Sequence, residues 1–332
     1  MKISRLRWAI LAISFVVLMF GSYAGLRLGN ALPTFSCCYV NTRGGTCFML
    51  ALQQTIGAFT LESMLVFMET LLLFSVLVII IGKAWCGWVC PLGFIQDLLF
   101  TLRSRLGGGY VRFTESVKRK IAWIKWAFLT IALVIPVWVA FPLFCPGVAL
   151  NLYIPFCQMC PGKYLLPLCA GNPDRISVNY EANTTVFMSV LGLTFSAVTF
   201  IGATVKRRFW CIFCPLGLIM SWFRRISFLK LKKEDVKCTR CEICYNVCPL
   251  DIEDVYKSRG KRDVTFADCN LCLKCVENCP EEGALKATFL GKPVYVSSQR
   301  KFFDKHISSC GGGCSSCGEG KKEEKHDDQQ AG

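Results

Sequence analysis

Four stretches of this chain, at residues 8–28, 57–82, 121–144 and 185–205, stay apolar long enough to cross a lipid bilayer, so much of it must fold inside one. A hydrocarbon core of about 30 Å takes about 20 helical residues to span, and backbone polar groups within it must pair inside their own segment, which dictates helices. A hydrophobic content of 53% is too high for an ordinary soluble protein.

Basic loops near helix ends stay in the cytoplasm. Lys2, Arg5 and Arg7 precede the first run; Lys83, Arg103, Arg105, Arg112, Lys118, Arg119 and Lys120 lie between the second and third; Lys206, Arg207 and Arg208 follow the fourth. The other two loops hold only Arg27, Arg43, Lys163 and Arg175. This orients a multi-pass chain with both termini cytoplasmic; the expected location is a prokaryotic cytoplasmic membrane. The net charge of +15 then reads as topology and contact with anionic lipid, not as nucleic-acid binding. A cleaved signal peptide ending at "SYA" before Gly25 competes for the first run, whose length favours an uncleaved anchor.

The topology sorts the 22 cysteines. Cys37, Cys38, Cys47, Cys145, Cys157, Cys160 and Cys169 fall on the outer side; the rest face the cytoplasm, where dense cysteine implies metal ligation or redox work. Eight of these form two runs, "CTRCEICYNVCP" and "CNLCLKCVENCP". Both follow the bacterial ferredoxin spacing, in which the fourth cysteine of each run ligates the other cluster. One 4Fe-4S cluster then uses Cys238, Cys241, Cys244 and Cys279, and the second uses Cys269, Cys272, Cys275 and Cys248. Three cysteines on a tight loop cap three irons of a cubane, and the fourth must arrive from elsewhere. Zinc sites also use Cys-x2-Cys pairs, but they need only four ligands and have no reason to repeat an eight-cysteine pattern with Pro249 and Pro280 after each fourth cysteine.

Two further phrases lie outside that unit. "WCGWVCPLG" carries Cys86 and Cys90, and "WCIFCPLG" carries Cys211 and Cys214, each at the inner end of a spanning run beside basic residues. The membrane part therefore reads as one unit used twice, each copy ending in "CPLG". If the copies pack side by side, four thiolates can close around a third metal centre; redox dithiols and zinc are the alternatives. Haem c attachment is excluded where Pro91 and Pro215 stand in place of histidine, and the only histidines, His306 and His326, lie in the tail. After each phrase comes a short amphipathic stretch, "FIQDLLFTLRSRL" or "LIMSWFRRISFLKL", suited to the inner interface or to packing in a soluble segment.

The duplicated frame on a four-helix membrane domain, followed by a two-cluster ferredoxin, resembles the membrane polyferredoxin family. That family includes the quinol-oxidising membrane subunit of periplasmic nitrate reductase systems and the C-terminal half of the nitrous-oxide-reductase maturation protein. The resemblance covers residues 8–285 and implies electron transfer between a quinone pool or cytoplasmic donor and an outer-side partner. Cys211 and Cys214 stand one residue closer than the family's usual Cys-x3-Cys-Pro, and the outer cysteines and the cysteine tail are departures from it.

An electron leaving the inner clusters must cross about 30 Å of hydrocarbon, too far without a carrier. Cys145, Cys157, Cys160 and Cys169 are candidates for an outer centre, with structural disulfides as the alternative. Glu62 and Glu69 share one face of the second span, where ionisable residues are costly enough to suggest proton uptake or quinone contact. Pro136 in the third span reads as a packed kink. The tail phrase "CGGGCSSC" offers Cys310, Cys314 and Cys317 as weak ligands, with too little chain after them for a radical-enzyme barrel.

The expected fold is mainly α: a four-helix transmembrane bundle of two repeats (1–230), a small α+β two-cluster ferredoxin-like domain (231–296), and a disordered cysteine tail (297–332). The expected role is an electron-transfer subunit of a membrane oxidoreductase, partnered by the membrane, a redox protein and/or quinone, and no nucleic acid. Its cofactors are two 4Fe-4S clusters with further iron-sulfur or metal centres, and no haem. The alternative is a metal-handling or maturation factor for a partner redox enzyme.

Overall fold

In lipid an apolar run must satisfy its own backbone, and each of the four does so as a helix. The computed structural model describes residues 3–25, 47–58, 60–140, 155–169, 171 and 183–307. The helices of its membrane part, in chain order, are α1 (Ile3–Phe20), α2 (Phe48–Ala58), α3 (Leu61–Ile81), α4 (Ala84–Trp88), α5 (Pro91–Arg105), α6 (Glu115–Ala140), α7 (Pro155–Met159), α8 (Pro161–Cys169), α9 (Asn183–Val205) and α10 (Pro215–Trp222). Four of them, α1, α3, α6 and α9, are long and apolar enough to cross a membrane. Their outward faces carry large exposed apolar side chains such as Leu65, Leu72, Trp123, Val134, Phe187 and Ile201, as lipid contact requires.

Local signals set the helix ends. Thr60 and Ser63 cap the start of α3 reciprocally. The same helix stops at Gly82, whose φ of 56° is readily tolerated only by glycine. Both "CPLG" phrases are helix starts: Cys90 and Cys214 are the cap residues of α5 and α10, and the proline after each has its fixed φ where the first turn needs it. Helix α6 runs through Pro136.

The segments expected as outer loops are partly folded back into the bundle. Helix α2, with 11 residues, rises only ~16 Å, about half a hydrocarbon core. Its first residue, Phe48, stacks on Phe74 at 4.1 Å between ring centroids, past the midpoint of α3. Helices α7 and α8 likewise lie beside the middle of α9, where Tyr164 donates from its hydroxyl to the Gln158 carbonyl at 3.1 Å and packs on Gly192. A Cβ on Gly192 would stand 2.4 Å from that carbonyl, so the close approach depends on glycine. Non-spanning backbone is tolerated at this depth only when it is helical, buried in protein or lining a cavity, and all three hold here.

The ferredoxin unit is built on an antiparallel sheet of order β1-β2-β3, with β1 (Leu229–Lys233), β2 (Leu285–Phe289) and β3 (Lys292–Val296). A tight turn at Leu290 and Gly291, both at positive φ, joins β2 to β3. Its core, including Leu231, Val264, Leu271, Val276 and Leu285, continues into the membrane part through Trp88, Cys211 and Ile212. The expected disordered tail begins as a helix over Gln299–Ile307, whose first residue donates its backbone N–H to Glu282 at 2.8 Å.

Several contacts seat this unit on the bundle. Trp88 donates Nε1–H to the Leu271 carbonyl at 2.9 Å, and Lys83 donates to the Ala267 carbonyl at 2.6 Å. Asp251, fully buried, accepts from the Tyr110 hydroxyl at 2.5 Å and from the Phe113 backbone at 3.2 Å, and pairs with buried Lys206. The basic residues read as lipid-facing are thus not all so: Arg7, Lys206 and Arg208 are buried, because each has a buried carboxylate to meet. Ser4 of α1 reaches Glu277, so the N-terminal helix starts at the same end of the bundle as the ferredoxin unit.

The tightest point of this seat is Gly87, where a Cβ would come 2.3 Å from the Asn270 carbonyl. Gly87→Ala is expected to cost about 1–3 kcal/mol of overpacking and to loosen the seat. Hydrogen exchange should then speed up in residues 267–275, whereas unchanged exchange there would contradict the contact.

Candidate electron-transfer centres

Each ferredoxin run bends at its second cysteine by putting the residues on either side into left-handed backbone. These are Arg240 and Glu242 (φ 57° and 60°) in the first run, and Leu271 and Leu273 (φ 49° and 58°) in the second. Bulky residues hold such angles at a cost of order 1–3 kcal/mol, and only where the surroundings fix them. The same strain at equivalent positions turns three thiols inward in each run. A pocket of about 20 Å³ is lined by Cys238, Cys241, Cys244 and Cys279, so the last cysteine of the second run closes the set of the first. Reciprocally, Cys248 lies within electrostatic reach of Cys269, Cys272 and Cys275.

Without a cluster these thiols stay protonated. Burial, with the other sulfurs of the set, pushes Cys244 and Cys269 up to about 12 and Cys248 to about 11. A cluster that takes the thiolates as ligands relieves that repulsion. Among the described residues no three His, Cys, Asp or Glu side chains stand close enough to share a single ion. Because the sets cross between runs, Cys248→Ser and Cys272→Ser are expected to erase the same paramagnetic signal, and Cys279→Ser the one that Cys241→Ser erases. Electron paramagnetic resonance of the four variants checks the pairing; grouping by run would contradict it.

The two CPLG phrases meet. Cys86, Cys90, Cys211 and Cys214 all line one cavity of about 150 Å³ and lie within electrostatic reach of one another. Burial raises all four thiols, Cys211 to about 11. Against this, the Leu92 and Gly93 N–H groups point at Cys90 and those of Leu216 and Gly217 at Cys214, while Arg208 and Lys83 supply positive charge. These only partly offset burial, and they are the groups that would steady the thiolates a bound cluster takes as ligands. Three cysteines from the supposed outer loops, Cys47, Cys157 and Cys160, line the same cavity. Its walls are Trp85, Trp210, Phe156, Leu92, Leu166 and Leu216; Leu250, Asp268 and Asn270 of the ferredoxin unit lie along it as well.

A buried charge knot holds the two phrases in register. Asp97 of α5 pairs with Arg7 of α1 and with Arg208, which donates to it at 2.9 Å and 3.1 Å; the three are 4%, 1% and 0% exposed. Arg208 also donates to the carbonyls of Cys86 and Gly87, and Arg7 to that of Gly87 at 2.9 Å. The adjacent Gln96 accepts the Trp210 backbone N–H at 2.8 Å. Burial alone would raise Asp97, but Arg208 and Arg7 outweigh it and hold the carboxyl well below the usual carboxylate range. These positioning residues are hidden in a stretch that reads as amphipathic. Their signal is the asymmetry between "CPLGFIQD" and "CPLGLIMS": only the first repeat carries a carboxylate to receive the basic residues of the second.

Other candidates stand apart. Cys169 is exposed at the far end of α8 and is not in the cavity wall. Glu62 and Glu69 both lie on the exposed face of α3, away from the cavity. Cys37, Cys38, Cys145, Cys310, Cys314 and Cys317 lie outside the described residues.

Known iron-sulfur domains match parts of the chain. A family described as "4Fe-4S binding domain" matches twice, at residues 61–108 and 188–234, and one described as "4Fe-4S dicluster domain" matches residues 230–280. The chain is 28% identical to an uncharacterized protein of Methanocaldococcus jannaschii over 64% of this chain and 75% of that one. It is 25% identical to the putative electron transport protein YccM of Escherichia coli over 68% of this chain and 57% of that protein. The ferredoxin-type protein NapH of Haemophilus influenzae is also 25% identical, over 60% of this chain and 61% of its own. No solved structure matches. Four helices long enough to cross a membrane, joined to 4Fe-4S domains, support iron-sulfur electron transfer.

Proposed function

We propose that this chain, which is similar to ferredoxin-type proteins and carries their 4Fe-4S domains, relays electrons between a redox protein at its ferredoxin end and a buried third centre held by Cys86, Cys90, Cys211 and Cys214. Iron-sulfur clusters, when bound, supply one-electron carriers; the residues set their order. Cys238, Cys241, Cys244 and Cys279 form the outermost set, with Cys241 exposed where a soluble partner can approach. Cys248, Cys269, Cys272 and Cys275 form the inner set, and Cys244 and Cys275 bring the two sets within electrostatic reach.

The observation that carries the reading is the seat of the inner set on the CPLG cavity. Cys211 packs into the same apolar core as Cys248, Cys269 and Cys275. Leu271 and Asn270, within that cysteine loop, touch Trp88 and Gly87 between the two cysteines of the first phrase. On this reading the three sets lie in file from solvent into the bundle. Quinone or a second redox protein is the partner at the membrane end. The ferredoxin end and the chain's start both face the cytoplasm on this reading.

The test uses inverted vesicles with the full chain, a soluble reductant and a membrane quinone. Wild-type protein is expected to reduce the quinone through the ferredoxin unit; Cys241→Ser and Cys272→Ser are expected to stop it. Undiminished quinone reduction in both variants would overturn the proposed route.

A further inference from the structure

The cavity is larger than one four-cysteine set needs. By the same measure, the pocket lined by the outer ferredoxin set is about 20 Å³ and this one about 150 Å³. It has seven cysteines in its wall, three more than the CPLG phrases supply.

Those three are placed by structure, not scattered. Gln53, fully buried on α2, accepts the Phe156 backbone N–H at 3.1 Å and donates to the Met49 carbonyl at 2.8 Å and to the Cys157 sulfur at 3.4 Å. This clips the start of α2, where Cys47 sits, to the α7 turn that carries Cys157. The Cys47 carbonyl accepts the first-turn N–H groups of Leu50 and Ala51, and the Cys160 carbonyl accepts that of Lys163. Each cysteine therefore heads a helix, α2 and α8, as Cys90 and Cys214 head α5 and α10. Four helix starts of 11, 15, 9 and 8 residues bring their cysteines to one cavity. The positive ends of four helix dipoles there favour negative charge beyond what one set of thiolates brings.

We propose that Cys47, Cys157 and Cys160 form a second metal-binding set in this cavity: a three-thiolate iron-sulfur site facing the CPLG set, with one iron left for a ligand other than cysteine. The described wall gives this set three thiolates beyond the four of the CPLG phrases. A cluster iron without a protein thiolate can take a small exogenous ligand, so the membrane end of the relay is a ligand-binding site as well as a carrier. The inference rests on the reading of the cavity as a metal site.

Full-length protein purified without oxygen is the material, with iron and acid-labile sulfide counted and reduced samples examined by electron paramagnetic resonance with and without cyanide. In Cys47→Ser/Cys157→Ser/Cys160→Ser, iron is expected to fall by about four per chain, with the CPLG signal kept and the cyanide-induced shift lost. In Cys86→Ser/Cys211→Ser, the CPLG signal should vanish while the cyanide-sensitive signal stays. Cys157→Ser alone, a milder change, should abolish the cyanide shift if the triple variant does not fold. The proposal is overturned if the cysteine-to-serine changes at 47, 157 and 160 leave iron and the cyanide response intact. It is equally overturned if Cys157 and Cys160 are recovered as a disulfide from wild-type protein, or if either variant loses both signals together. Loss of iron in the triple variant alone would sustain this site and remove the CPLG centre.

Discussion

Cys211→Ser is expected to stop electron transfer from the ferredoxin unit to the membrane while leaving both ferredoxin signals in place. Cys211 is the cavity thiol that also packs against the ferredoxin core, so its loss opens the file at the joint between the two parts. The variant should lose about four irons per chain, because a cubane short of one of its protein ligands beside an apolar wall is poorly held. Stopped-flow reduction of the purified protein, followed by quinone reduction in vesicles, separates the steps. Fast reduction of the ferredoxin clusters with no quinone turnover is the expected pattern. If quinone turnover persists at the wild-type rate, electrons leave the ferredoxin unit by another way.

Asp97→Ala is expected to be the most destabilising single change in the membrane part. It leaves the guanidinium groups of Arg7 and Arg208 buried with no carboxylate, at 1% and 0% exposure. Removing one partner of a buried ion pair typically costs about 3–5 kcal/mol, because the remaining charge stays out of water unpaired. Here two charges are stranded and the two repeats lose their common tie, so the cavity should open as well. Thermal unfolding in detergent measures the first effect, and iron content of the folded fraction the second. A change under about 1 kcal/mol, the size expected of a solvent-screened surface pair, would contradict the buried knot.

The parts legible in the sequence are those fixed by local spacing. Eight cysteines in two runs announce a ferredoxin because a cubane loop needs that spacing within a dozen residues. The four spans are legible because crossing a bilayer demands length and apolarity, which any window can count. Their ends are less so: α1 starts at Ile3 and not near Trp8, because Arg7, a poor lipid residue on its face, has Asp97 waiting in the fold. What no local window shows is the return of α2, α7 and α8 to mid-bundle. Cys47, Cys157 and Cys160 sit in segments whose glycine, proline and cysteine content reads as outer loop. Their meeting with the CPLG cysteines depends on Gln53, Phe74 and Gly192, each acting across more than 25 residues of chain. The proline after Cys90, Cys160 and Cys214 was the available clue, since proline at a first helical position marks a helix that starts there.

The measurement that bears most directly on the relay is the difference in iron and acid-labile sulfide between anaerobically purified wild-type chain and Cys86→Ser/Cys90→Ser/Cys211→Ser/Cys214→Ser. A third centre on those four thiolates requires the difference to be about four irons and about four sulfides per chain, with both ferredoxin signals unchanged. Equal iron and sulfide in the two proteins would mean that the CPLG cysteines hold no cluster, and that the file of carriers ends at the ferredoxin unit.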